Sequence, residues 1–211
     1  MKKRILTRKA RALRWLLAVV LLAVLAWVLL PWSLTPEAAH DRALEYRNVG
    51  ETEIVHKMES PLDWILLFSM NDQAVAMGGY RREHWFNWSN YTGVDVVERE
   101  AGRPFATGYL RESVYKPGPD KDVDYYYVFG VVQDESVSEI LIEFDAIEGG
   151  HDQEVILTEE DWLVTDTGDR YFLVALEPEI DNGARAIYAT GYLADGSATQ
   201  TYWMTGAWGW K

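Results

Sequence analysis

Residues Trp15–Leu30, WLLAVVLLAVLAWVLL, are sixteen consecutive positions without a charge or a strongly polar group. Pro31 and Trp32 extend the run to eighteen. As an α-helix it spans roughly 27 Å, close to the bilayer hydrocarbon thickness of about 30 Å. A helix apolar on every side crosses a membrane, serves as a secretion signal, or needs protein all round it. The flanks favour the first. Seven cations precede the run (Lys2, Lys3, Arg4, Arg8, Lys9, Arg11, Arg14), and residues 1–34 hold no acid. Arg14 sits where its stem can snorkel, and Trp15 and Trp32 occupy the two interfacial ends. The expectation is a basic cytoplasmic tail over 1–14, a transmembrane signal anchor over 15–32, and translocation of everything after it. A cleaved signal would need small residues before its cut. The Ala38–Ala39 candidate places Pro36 or Glu37 at the −3 position.

Charge then separates the rest. Of 20 cations, 13 remain after residue 34, against all 33 acids, a net of −20. Such a domain repels phosphate backbones, so no nucleic-acid partner is expected. Cysteine is absent, which removes disulfides, thiolate metal sites and a Cys nucleophile. Ten Trp and twelve Tyr argue against a disordered acidic chain.

Residues 33–50 read as a juxtamembrane helical stem. Thr35 is the expected N-cap, Pro36 the first helical residue, and Gly50 the stop. From residue 51 the texture becomes β. The expected strands are Thr52–Met58, Trp64–Ser69, Ala74–Tyr80 with a bulge at Gly78–Gly79, Val94–Arg99, Phe105–Tyr115, Tyr125–Val132 and Val137–Phe144. Val155–Leu157, Trp162–Val164, Tyr171–Ala175, Ala186–Tyr192 and Gln200–Thr205 follow, with Asn-Gly and Asp-Gly turn chemistry between several of them. The fold class expected is mainly β, a transmembrane helix followed by an antiparallel β-sandwich or barrel-like acidic extracytoplasmic domain over 51–211. Lys116–Asp122 (KPGPDKD) offers a sub-boundary, and ATGYL at Ala106–Leu110 and again at Ala189–Leu193 suggests two similar β halves. The alternative is two strands meeting one packing need.

Chemistry is sparser. His40, His56, His84 and His151 lack metal-ligand spacing and read as solvated or edge residues. Asp120, Asp122 and Asp124 are the candidate calcium ligands, although Tyr125 and Val131 stand where an EF-hand loop needs Gly and Glu. Trp85 and Trp88, in the run His84–Tyr91, and Trp208 and Trp210 near the C-terminus are candidate ligand-binding aromatics; core packing is the competing reading. No catalytic motif is present, so no catalytic residue and no cofactor is assigned.

The runs Tyr126–Val132 (YYVFGVV), Asp134, Val137–Phe144 (VSEILIEF), Tyr171–Leu173 and the Asp195–Gly196 hairpin resemble small membrane-anchored envelope proteins of Firmicutes, which carry an extracytoplasmic β-rich domain. Trp64–Phe68, Asn71–Asp72 and Ala74–Ala76 fit the same pattern loosely; Trp85–Tyr91 does not belong to it. The resemblance covers about half of the β region and implies location and architecture, with no functional residues. The expected function is a non-catalytic, envelope-associated binding or sensing module. Its partners would be the bilayer and a cell-wall polymer or a membrane protein. The alternatives are a carbohydrate-binding module using exposed Trp and Tyr, and an acidic hydrolase with a carboxylate pair.

Overall fold

The computed structural model describes residues 8–29, 33–84, 87–114, 123–146, 151–180 and 184–204. Helix α1 spans Arg8–Leu29 and α2 spans Pro36–Tyr46. The strands are β1 (Glu53–Glu59), β2 (Ile65–Met70), β3 (Ala74–His84), β4 (Asn87–Glu98), β5 (Phe105–Val114), β6 (Val123–Val132), β7 (Val137–Ala146), β8 (Gln153–Thr158), β9 (Leu163–Val164), β10 (Arg170–Ala175), β11 (Glu179–Ile180), β12 (Ala184–Leu193) and β13 (Ala198–Met204). All the pairings are antiparallel.

Three sheets and one helix stack as layers. Sheet 1 is the meander β1-β2-β3-β4; sheet 2 runs β5-β6-β10-β9, with β11 beside β6; sheet 3 runs β13-β12-β7-β8. Sheet 2 lies in the middle. Its β6 residues Tyr127, Phe129 and Val131 pack with Leu66, Phe68, Met70, Val75 and Met77 of sheet 1. The alternate residues Tyr126, Val128 and Val132 pack with Ile140, Ile142, Phe144 and Ile187 of sheet 3. A strand covered on both faces needs apolar residues at both parities, and YYYVFGVV supplies them. In β7, by contrast, buried Ile140, Ile142 and Phe144 alternate with half-buried Glu139, Leu141 and Glu143, as a one-sided strand requires.

Helix α2 starts as its sequence predicts. The Thr35 hydroxyl accepts from the Ala38 N–H, and Pro36 opens the first turn. It is not a free stem, however. Pro36, Ala39, His40 and Leu44 are buried, and Ala39 and Leu44 join Leu67, Ala76, Tyr80 and Val94 on the outer face of sheet 1. Thr35→Ala should therefore cost the whole domain about 1 kcal/mol. An unchanged urea midpoint would show that the cap does not couple to the sheet.

The strand pairing bears on two features of internal organisation. The 116–122 boundary does not divide two halves: it falls between β5 and β6, which pair along their full length from Phe105↔Val132 to Val114↔Val123. Nor are the ATGYL copies equivalent. The first lies in β5, paired with β6, and the second in β12, paired on both sides by β7 and β13. Each copy uses its glycine to admit neighbours. A Cβ at Gly108 would meet Val97 and Phe129, and one at Gly191 would meet Phe105 and Thr199. The register does shift at the expected place, between Gly78↔Val94 and Tyr80↔Asn90, but the extra residues lie in β4, where 91–93 stand against Gly79.

Among the described residues, no helix is both long and apolar enough to cross a membrane. The described side chains of α1 include Arg8, Lys9, Arg11 and Arg14, which dilute its first two turns. From Trp15 to Leu25 its large apolar side chains are exposed to solvent, Trp15 at 74%. The apolar sequence continues to Leu30, and the helical backbone continues to Leu29.

Candidate functional site

Among the described residues of the β domain, an exposed aromatic side chain lies on the outer face of sheet 3. The alternation that packs half-buried Tyr202 against Phe105, and buries Met204 in the core, sends Trp203 of the edge strand β13 outward. Trp203 is 65% exposed. It pairs in register with Tyr188 of β12, which pairs with Glu143 of β7, which pairs with Glu154 of β8. The Trp203 and Tyr188 rings lie 6.0 Å apart with 22° between their planes, an offset stack. The next row across the sheet is Thr201, Thr190, Leu141 and Ile156, with the two threonine hydroxyls 2.9 Å apart. A flat aromatic surface beside hydroxyls and carboxylates suits a pyranose ring, whose C–H face stacks while its hydroxyls donate to oxygen acceptors. The carboxylates of Glu139, Glu143 and Glu154 on this face would repel an anionic polymer.

Buried titratable groups lie elsewhere in the fold. His40, expected at a solvated or edge position, is fully buried between α2 and sheet 1. Its Nδ1 lies 2.7 Å from the Tyr80 hydroxyl and its Nε2 2.6 Å from the Ser69 hydroxyl. Burial pulls its pKa down to about 4, so the ring is neutral near pH 7. Glu112 of β5 is fully buried between sheets 1 and 2. A Cβ on Gly79 would stand 3.1 Å from its Oε1 and 2.9 Å from the Thr92 hydroxyl, so only glycine leaves room there. The Tyr127 hydroxyl donates to Oε2 at 3.3 Å, while Oε1 is left without a close partner. Burial pushes the Glu112 pKa up to about 7, against the pull of hydrogen bonds from Ser60 and Tyr127. Asp95 of β4 is raised too, by burial, with the Tyr109 N–H and the charge of Arg47 opposing.

Neither of these carboxylates lines a described cleft. One cleft of about 470 Å³ lies where the C-terminal end of α2 meets the β2–β3 turn, between Arg47, Asp72, Glu98, Arg99 and Glu100. Arg99 is already committed there, donating to the Asn71 carbonyl and pairing with Asp169 at 2.8 Å. A second, about 560 Å³, is bordered by Asp41, Glu45 and Glu51. Among the described residues no cluster of three His, Asp or Glu side chains is arranged to hold a metal ion.

The residues singled out from the sequence are dispersed. Trp88, in β4, is half-buried against the α2 cluster. The run His84–Tyr91 is not one strand, because β3 ends at His84 and β4 begins at Asn87. Trp85, Trp208 and Trp210 lie outside the described residues, as do Asp120, Asp122 and Trp32. Asp124 is buried, and its carboxylate accepts from Arg111 at 2.7 Å and from Ser113 at 2.5 Å. A cation using Asp124 would have to displace the guanidinium. Arg14 and Trp15 are exposed on α1. Trp203 lies close to the C-terminal pair in sequence, and strand parity against Tyr202 and Met204 carries the signal of its exposure. Glu112 was missed although it shares the parity of Ala106, Gly108 and Leu110 in β5.

Comparison with family models, with curated proteins and with solved structures yields no match for this chain.

Proposed function

We propose that the chain is a single-pass membrane protein whose β domain is a non-catalytic extracytoplasmic binding module, with the outer face of sheet 3 as its ligand surface. The observation that carries the binding reading is Trp203, 65% exposed and stacked on Tyr188 at the head of a row ending in Glu143 and Glu154. An exposed indole in a paired strand is ordered by its backbone ladder, so a ligand meets a prearranged surface at little entropic cost. The ligand class is a neutral or amino-bearing glycan, such as the polymer of a cell wall. The membrane reading rests on the sequence: the apolar run Trp15–Leu30, the seven cations before it, and a helical backbone reaching Leu29. The hydrolase alternative has less support. Glu112, whose pKa burial raises to about 7, is sealed between two sheets and lines neither described cleft.

The test is co-sedimentation of the full chain, in proteoliposomes, with purified wall glycan. Saturable binding is expected, weakened at least tenfold by Trp203→Ala and unchanged by Val164→Ala, an exposed apolar position on β9. No binding, or binding indifferent to Trp203, would discard the glycan face.

A further inference from the structure

We infer that the β domain does not tumble freely above the bilayer but stands on it end-on, with the end of sheet 1 where β3 finishes and β4 begins, at Arg81–Glu83 and Asn87–Trp88, turned toward the lipid headgroups. This rests on the reading of α1 as a membrane anchor.

The observation is a clamp. Ser33 is buried; its N–H donates to Asn87 Oδ1 at 3.1 Å, and its carbonyl accepts from the Trp88 N–H at 2.8 Å. Asn87 and Trp88 open β4, and Asn87 pairs in register with His84 at the end of β3. The chain leaving α1 at Leu29 is thus fastened to this end of sheet 1 only four residues later. Four Cα–Cα steps reach at most about 15 Å, whatever path they take. A membrane-embedded α1 must therefore draw this end of sheet 1 to the surface. The N-terminal turn of α2 follows Ser33 directly, and exposed Leu34 lies within the same reach.

The two ends of these strands differ chemically. At this end β3 carries exposed Arg81 and Arg82 beside Glu83. The opposite end, at the β2–β3 turn and the end of β4, carries Asp72, Glu98 and Glu100 against Arg47 and Arg99, and Arg99 is already paired with Asp169, so that end is net acidic. In a domain of strong net negative charge, the Arg81–Arg82 end is the one that an anionic leaflet repels least: Arg81 can pair with a lipid phosphate, and Arg82 adds positive charge beside it. Eleven residues of β3 span on the order of 35 Å, so the far turn stands well clear of the surface.

The chain has no native cysteine, so single cysteines can be labelled uniquely. Full-chain Val20→Cys, Glu83→Cys and Asp72→Cys are placed in vesicles of neutral and anionic phospholipid, with a nitroxide quencher on the lipid headgroup. A fluorophore at position 83 should be quenched several-fold more than one at 72, and the thiol at 20 should resist a water-soluble reagent. Equal, weak quenching at 83 and 72 with a protected thiol at 20 would overturn the orientation while leaving the anchor intact. A freely reactive thiol at 20 would overturn the anchor, and this inference with it. Adding Arg81→Glu and Arg82→Glu should at least halve the quenching at 83 on anionic vesicles and leave it unchanged on neutral ones. No change on either would remove the arginines from the contact.

Discussion

Glu112→Gln should make the β domain more stable at pH 8, by about 1–3 kcal/mol, and leave it little changed at pH 5. The direction follows from where the carboxyl holds its proton. In the fold Glu112 titrates at about 7, against an ordinary value of 4.5. Between those values the folded chain keeps a proton that the unfolded chain has released, so stability falls as pH rises from about 4.5 to 7 and is flat above that. A glutamine cannot ionise, and its carbonyl can still accept from Tyr127. Asp95, raised by burial, adds to the same fall. His40 acts in the opposite sense. Its folded pKa of about 4 lies below the ordinary 6.5, so in that window the unfolded chain binds the extra proton and stability rises with pH. From about pH 4.5 to 6.5 the two slopes largely cancel in the wild type. In Glu112→Gln the rise contributed by His40 should emerge, with Asp95 still opposing it. Urea titrations at pH 5, 6 and 8 on residues 33–211 would measure both. A variant that matches the wild type at every pH would mean that Glu112 is not held protonated.

Gly130→Ala should be the most damaging single methyl in the domain, costing about 3 kcal/mol or more, with Gly130→Val failing to fold. Gly130 lies in the middle of β6, between β5 and β10. A Cβ there would collide with the Ala106 carbonyl oxygen and the Phe172 ring. The carbonyl is backbone of the neighbouring strand and cannot swing aside, so the central sheet itself would have to part. A loss of this size is a large share of the roughly 5–15 kcal/mol that holds a domain together. Gly93→Ala is the control. Gly93 has φ +86°, but a Cβ there has open space around it, so only backbone strain of about 1 kcal/mol is expected. Equal midpoint shifts for the two variants would refute the crowding argument.

Much of this architecture is written in local pattern. YYYVFGVV reads as a strand buried on both faces, and β7 as one buried on a single face, because parity alone distinguishes them. The start of α2 is equally plain from Thr35 and Pro36. Its docking is harder to see, since the stripe Pro36, Ala39, His40, Ala43, Leu44 has correct helical spacing but a histidine at its centre. A polar residue in an apolar stripe looks like a break, until Tyr80 and Ser69 arrive from distant strands to satisfy it. Glu112 hides for the same reason: its partners Tyr127 and Ser60 are brought by other elements. The aromatic density of Trp85–Tyr91 and the exposure of Trp203 are different kinds of signal. Density says nothing about which face a ring occupies, whereas alternation does.

The layered order also sets a timetable for synthesis. Sheet 1 is a meander of consecutive hairpins, so it can close as soon as β4 has emerged. The central sheet cannot. Strand β6 is followed by β7 and β8 of another sheet before β10, Arg170–Ala175, arrives to cover its second edge. About 40 residues at 5–20 residues per second is a delay of roughly 2–8 s. During that interval an apolar, unpaired strand edge stands open on a nascent chain, a template for pairing with its neighbours. A protein built this way depends on being kept apart from other copies of itself, by chaperones or by slow delivery, until its last third has been made.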